Sequence, residues 1–207
     1  MTGDARDTVL ARVRAALGPA RAPVEIPRGY RQLRRALDPD AICDRFCERV
    51  QEYHARVHRV RADALGDAVA GLLAGLRVLV APRAPCALRG FTALPDDPPL
   101  SARELDGADA VLTGCALAVA ETGTIVLDGS ARCGRRALTL VPDRHVCVVH
   151  AEQIVAGVAA MIAELDRVEA TRRPLTLVSG PSATSDIELE RVEGVHGPRR
   201  LDVVVVS

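Results

Sequence analysis

Two short segments of the chain concentrate side chains able to do chemistry. In Ala120-Glu121-Thr122-Gly123-Thr124 a carboxylate stands between apolar runs beside two hydroxyls and a glycine, a composition suited to proton transfer next to a closely approaching ligand. In the stretch from Ser179 to Glu188 an aliphatic run breaks into Gly180, Pro181 and the hydroxyl residues Ser179, Ser182, Thr184 and Ser185. Their N–H and O–H groups can hold an anion, and Asp186 can cap the next turn of the chain. Gly194-Val195-His196-Gly197-Pro198 then sets a histidine in a glycine-rich turn, and an imidazole ordinarily exchanges protons near neutral pH. Arg132, Arg135 and Arg136 come after the first segment, and guanidinium forks match carboxylate or phosphate. In this reading Glu121 is the acid or base, Ser182 and Thr184 donate to an anion, and Asp186 with His196 orients it. Thr122, Gly123, Thr124, Gly180 and Arg132 complete the ligand-binding set. Plainer roles stand beside these. Glu121 can cap backbone N–H groups, the loop hydroxyls can satisfy their own turn, His196 can bond across its turn, and the arginines can form a solvated face. His145 and His150 bracket an aliphatic run and read as structural.

Other chemistries are excluded by what is missing. Cys43, Cys47, His54 and His58 fall on one predicted helix, and His54 and His58 have ligand spacing. However, Ala55 stands where a zinc protease carries glutamate, and Cys47 to His54 spans about 10 Å at 1.5 Å per residue, too far to share one ion. No metal is expected. The six cysteines (43, 47, 86, 115, 133 and 147) form neither a CxxC pair nor a cluster spacing, so no iron–sulfur cluster is expected on this chain and the thiols are expected to be reduced. There is no GxGxxG after a strand, no P-loop and no haem motif. All 27 basic residues are arginine, which removes Schiff-base lysine chemistry. They balance 27 acidic residues, and only Tyr30, Phe46, Tyr53 and Phe91 are aromatic. Neither the charge nor the stacking platform of a nucleic-acid binder is present.

The elements that must position these residues are readable from patterning. The 207 residues, 48% of them hydrophobic, suffice for one domain with an arm. Residues 4–17 place Val9, Leu10, Val13 and Leu17 on one stripe, predicting a short amphipathic helix that docks on its own body or on another subunit. A Pro-rich linker comes next, so the arm is assigned to 1–29 and the α/β domain to 30–207. Asp38-Pro39 starts a long helix expected to reach about Val60. A second helix covers 63–74, and a brief one begins at the Ser101/Glu104 capping box. A last helix is expected over 152–167, with Ile154, Val158, Met161, Ile162 and Leu165 facing inward. Aliphatic strands are expected at 77–81, 110–112, 124–127, 145–149, 175–179 and 201–206. Such strands, separated by helices, indicate a layered α/β domain whose largely parallel sheet carries helices on both faces. In that architecture ligands bind beyond the carboxyl ends of strands. No apolar run approaches the roughly 20 residues of a membrane span, and the first residues lack a secretory core, so a cytoplasmic protein is expected.

The Glu121-Thr122-Gly123-Thr124 element, Pro142-Asp143-Arg144-His145 before a Val-rich strand, Gly180-Pro181-Ser182 with Thr184, Asp186-Ile187-Glu188, and Gly194 to Pro198 together closely resemble the LUD-domain family. The resemblance is closest to its lactate-utilisation protein C, or YkgG-like, branch, and covers about residues 109 to 206. It implies a fold like that of 5-formyltetrahydrofolate cyclo-ligase and the NagB/RpiA/CoA-transferase group. It also implies a role in oxidising L-lactate to pyruvate beside the lactate-utilisation iron–sulfur proteins A and B, which would carry the clusters. Glu121-Thr122-Gly123 further resembles the Glu-Asn-Gly element of CoA-transferases, with Thr122 in place of Asn. Three readings are open: a subunit binding a small anionic ligand at strand ends, a non-catalytic assembly or regulatory subunit, and an independent CoA-transferase-like or cyclo-ligase-like enzyme. A homo-oligomer is compatible with each.

Overall fold

A computed structural model of the chain describes residues 3–18, 38–168, 170–185, 191–194 and 196–207. The chain divides into two units, Met1–Arg31 and Gln32–Ser207. In the first, helix α1 (Gly3–Leu17) ends where Gly18 turns left-handed at φ +68. The second unit holds the α/β body. Asp38 caps helix α2 (Pro39–Glu52) by accepting from the Asp40 N–H, and α2 buries Cys43, Phe46, Cys47 and Val50. It stops well short of Val60. His54 takes φ +64, and the β-branched stretch after it becomes strand β1 (Arg56–Val60). A full ladder with the C-terminal strand is available to these residues, and that tertiary partner overrides the helical pattern. His58 thus lies on a strand, and the helical spacing of His54 and His58 does not exist.

After a 3₁₀ turn come helix α3 (Leu65–Leu73), strands β2 (Arg77–Val80) and β3 (Thr92–Pro95), and helix α4 (Ala102–Asp106), opened by its capping box. Strands β4 (Ala110–Thr113), β5 (Leu117–Val119), β6 (Thr124–Leu127) and β7 (Arg144–His150) are next. The helix expected over 152–167 is shorter. Ile154–Val155 form strand β8 against β5, and helix α5 (Val158–Arg167) starts only after Gly157. Its Met161 and Leu165 are buried, whereas Val158 and Ile162 face outward. Strands β9 (Thr176–Val178), β10 (Ala183–Ser185), β11 (Arg191–Glu193) and β12 (Arg200–Val206) complete the body.

Six strands in the order β1-β12-β7-β4-β2-β3 form the main sheet, parallel throughout. Val78, Val80, Leu112, Val146, Val148 and Val204 pack from one face on Leu65, Val69 and Leu73 of α3. The opposite face carries two groups: Cys147, Val149, Val203 and Val205 under α2, and Leu79 and Val111 under α4. A second sheet, β8-β5-β6-β9, is interposed on that side, with α5 against its far face. Thr124–Leu127 is therefore a buried strand, but it pairs antiparallel with both neighbours. A charge sits within the main sheet as well: buried Asp202 of β12 accepts from Arg144 Nε at 2.8 Å and meets His58 Nε2 at 3.0 Å. Arg144 also donates to Leu72 O, so this compensated ion group ties the sheet to α3. Among the described residues no helix is long and apolar enough to cross a membrane.

Candidate functional site

Ala120 to Gly123 is the turn of the β5–β6 hairpin, not an exit from the parallel sheet. Glu121 is exposed there, contrary to the buried carboxylate its apolar flanks suggest. Its surroundings are Ala41, Ile42, Asp44, Arg45 and Glu48 of α2, with Ala120 and Ala156. Gly123, at φ +61, admits no ligand. A Cβ at this position would stand 2.8 Å from the Arg49 carbonyl carbon and 2.9 Å from the Val50 nitrogen, so the backbone of α2 occupies the space glycine leaves. Thr122 and Thr124 share a hydrogen bond at 2.7 Å, and Thr124 reaches Ser179 Oγ at 2.9 Å. The two candidate segments are thus joined through hydroxyls.

The second segment lies under the end of the same helix. A Cβ at Gly180 (φ +82) would meet Tyr53 Cβ at 2.5 Å and Tyr53 O at 2.8 Å. Ser182 is laced to the glycine-rich turn on three sides. Its N–H donates to Pro198 O at 2.8 Å, its carbonyl accepts from Gly194 N–H at 2.8 Å, and its Oγ accepts from His196 N–H at 3.0 Å. Ser182 and His196 share the walls of a cavity of about 240 Å³ with Gly180, Arg136, Thr139 and His145. Arg136 donates to Thr139 O and Oγ1 and to His196 O, and burial lowers its pKa from the ordinary guanidinium value. Thr184 contributes backbone to β10, opposite Val192. Asp186 lies outside the described residues.

The position of this cavity differs from the expectation. His145 and Leu201 line it from the first residues of β7 and β12, so it opens at the amino end of the main sheet, while β9 of the small sheet points its carboxyl end there. The reason is that β9 enters from a second sheet whose direction the strand pattern alone does not reveal. Behind the cavity, His145 Nε2 meets Thr113 Oγ1 at 2.8 Å, and Thr113 Oγ1 donates to Cys147 Sγ at 3.8 Å. Hydrogen bonding from Cys115 holds the Cys147 thiol below its ordinary range despite burial, with His145 and Thr113 adding to the effect, while Cys115 is held above it. Burial pushes Cys133 up to about 12. His145 reads as structural in the sequence; Cys147 stands two residues on in the same strand, but Thr113, which joins the two, is 32 residues away from His145, and no local spacing announces it.

Arg132 does not join Ser182 and His196. It faces a second cavity at the other end of the sheet, beside Arg83, Gly114 and His150. Of the three arginines grouped in the sequence, Arg135 pairs instead with buried Asp96 through Nε at 2.6 Å and Nη2 at 2.8 Å, which lowers the Asp96 pKa. Among the described residues, no group of three His, Cys, Asp or Glu side chains is placed to hold a metal ion.

Comparison with known proteins gives these features a context. Residues 101–206 match the model of the LUD domain. The chain is similar to "Lactate utilization protein C" of Deinococcus radiodurans, with 52% identity over 169 residues, 80% of each chain. It is 32% identical to "Uncharacterized protein YkgG" of Escherichia coli over 54% of this chain and 51% of that one. Against "Lactate utilization protein C" of Geobacillus kaustophilus it is 30% identical over 54% of this chain and 49% of the relative, so it spans about half the length of these two proteins. The crystal structure of a DUF162 family protein from Deinococcus radiodurans aligns with a TM-score of 0.71 at 44% identity, covering 83% of this chain and 99% of that one.

Proposed function

The chain belongs to the LUD-domain family, and from that premise we propose that it serves lactate utilisation as a cytoplasmic component of the system that oxidises L-lactate to pyruvate. The observation carrying this reading is the 52% identity, over 80% of both chains, to a lactate utilization protein C. Lactate-utilisation iron–sulfur proteins A and B are its proposed partners and would take the electrons, because neither a nicotinamide nor a haem motif occurs in this sequence. The cavity walled by Ser182 and His196 is the proposed site for the small anionic ligand. At about 240 Å³ it suits a molecule of a few heavy atoms. His196, in the wall of this cavity, would move the proton; the Ser182 hydroxyl, already accepting from His196 N–H, still has its own hydrogen to donate. Glu121 stands apart from this cavity and is proposed to act at the α2 groove, in contact with a partner. Deleting the chain from its host is expected to abolish growth on L-lactate and spare growth on pyruvate. Wild type restores growth and His196→Ala does not. Normal growth of the deletion strain on L-lactate contradicts the assignment.

A second reading, an assembly subunit without catalysis, is favoured by how the Arg136 guanidinium, the cation in the wall of this cavity, is spent on groups inside the fold. It predicts that His196→Ala and Ser182→Ala restore growth, while removal of residues 1–29 does not.

A further inference from the structure

The main sheet reverses its winding between β2 and β4: β3 lies on one side of β2, and β4, β7 and β12 come in turn on the other. Ligands of open α/β sheets bind outside the carboxyl ends of strands at such a reversal. A cavity of about 480 Å³ opens there. Its walls include Arg83 after β2, Gly114 after β4, Arg132, and His150 closing β7, with Glu152 and Gln153 behind. Two backbone bonds strap the Ala131–Arg132 segment across these ends: Arg83 N–H donates to Ala131 O at 2.7 Å, and Gly114 N–H to Arg132 O at 3.0 Å. The stem of Arg132 lies over Gly114, where a Cβ would come within 2.7 Å of Arg132 Cγ. The backbone therefore fixes where both guanidinium stems begin.

Among the described residues, neither the Arg83 nor the Arg132 guanidinium has a hydrogen-bond or ion-pair partner, whereas Arg135 is spent on Asp96 and Arg136 on carbonyl groups. The carboxylate in the wall, Glu152, is 79% exposed and stands 4.0 Å from His150 Nδ1. Gln153 donates to Cys115 O and accepts from His150 N–H, so its amide is also committed. Two cationic forks and an imidazole thus face one rim carboxylate in a cleft. Planar guanidinium groups pair bidentately with phosphate and carboxylate oxygens.

We propose that this cleft is a second ligand site, binding a small organic oxyanion, a phosphate ester or a carboxylate, through Arg83 and Arg132. Its about 480 Å³, against about 240 Å³ for the cavity at the amino end, leaves room for an organic body beyond the anionic group. The test is calorimetric titration of the full chain with pyrophosphate and, separately, with malonate, at low ionic strength with chloride as the control for simple screening. Saturable binding of at least one probe is expected. Arg83→Gln and Arg132→Gln should each weaken it about tenfold or more, and Arg167→Gln, at an exposed position on α5, should leave it unchanged. Gly114→Ala, which displaces the Arg132 stem, should weaken it as well. A preference for pyrophosphate assigns the phosphate ester, and a preference for malonate the carboxylate. The proposal is overturned if wild type binds neither probe at millimolar concentration, or if the Arg83→Gln/Arg132→Gln double variant binds as wild type does. No lactate-oxidising partner is present in the assay, so that failure would leave the lactate assignment standing.

Discussion

At the amino end of β7 the polar groups answer one another: Arg136 is spent on carbonyls, Ser182 accepts from the His196 N–H, and His145 meets Thr113. At the carboxyl end, Arg83 and Arg132 reach a larger cleft with no such partners among the described residues. The glycines differ in the same way. Gly123 and Gly180 make room for the backbone of α2 and Tyr53, while Gly114 makes room for a flexible arginine stem. The dense motif thus laces the chain together around the smaller cavity, whereas the two arginines of the larger cleft have no partner among the described residues.

The difference can be broken most forcefully at Gly180. Alanine there adds a Cβ against the Tyr53 backbone in a left-handed conformation, and a loss of about 3 kcal/mol is expected in denaturant unfolding, from strain plus overpacking. Gly114→Ala should cost about 1 kcal/mol or less, since a side chain can yield. Next in size after Gly180 is Arg135→Gln, expected to cost about 2 kcal/mol, because it strips buried Asp96 of two charged donors. The pH dependence of this pair has a definite sign. Arg135 hydrogen bonding lowers the folded Asp96 pKa, so the contribution is fully present above the unfolded carboxylate value of about 3.9 and is lost as pH falls through the lower folded value. Acid titration of stability in wild type and Arg135→Gln should show that loss only in the former. Ser182→Ala should cost about 1 kcal/mol, the net worth of the bond from His196 N–H, read by thermal unfolding. The smallest effect on stability belongs to Arg83→Gln and Arg132→Gln, each within about 0.5 kcal/mol as exposed side chains without a partner among the described residues.

Much of the architecture was legible because local signals agreed with it. Asp38-Pro39 and Ser101/Glu104 start helices where they should, and the Val-rich runs at 145–149 and 201–206 are central parallel strands. What failed depended on distant partners. Arg56–Val60 is a strand only because β12 offers it a ladder, and Ile154–Val155 only because β5 has an open edge. Of the candidate residues, some of the grouping was legible. Gly180, Ser182 and His196 do meet in one cavity, and Thr122 and Thr124 join that network through Ser179. Glu121 and Arg132 fall elsewhere, since a hairpin turn and a topological reversal separate residues that adjacent motifs suggest are together. Arg83 carried no local signal at all; only the strand order makes its position informative.

The most direct measurement is L-lactate-dependent reduction of an artificial electron acceptor by the two proposed iron–sulfur partner proteins, with and without this chain, and with its His196→Ala variant. The account predicts that reduction requires the wild-type chain and fails with His196→Ala although the variant still joins the complex. Reduction at the full rate without the chain would contradict it.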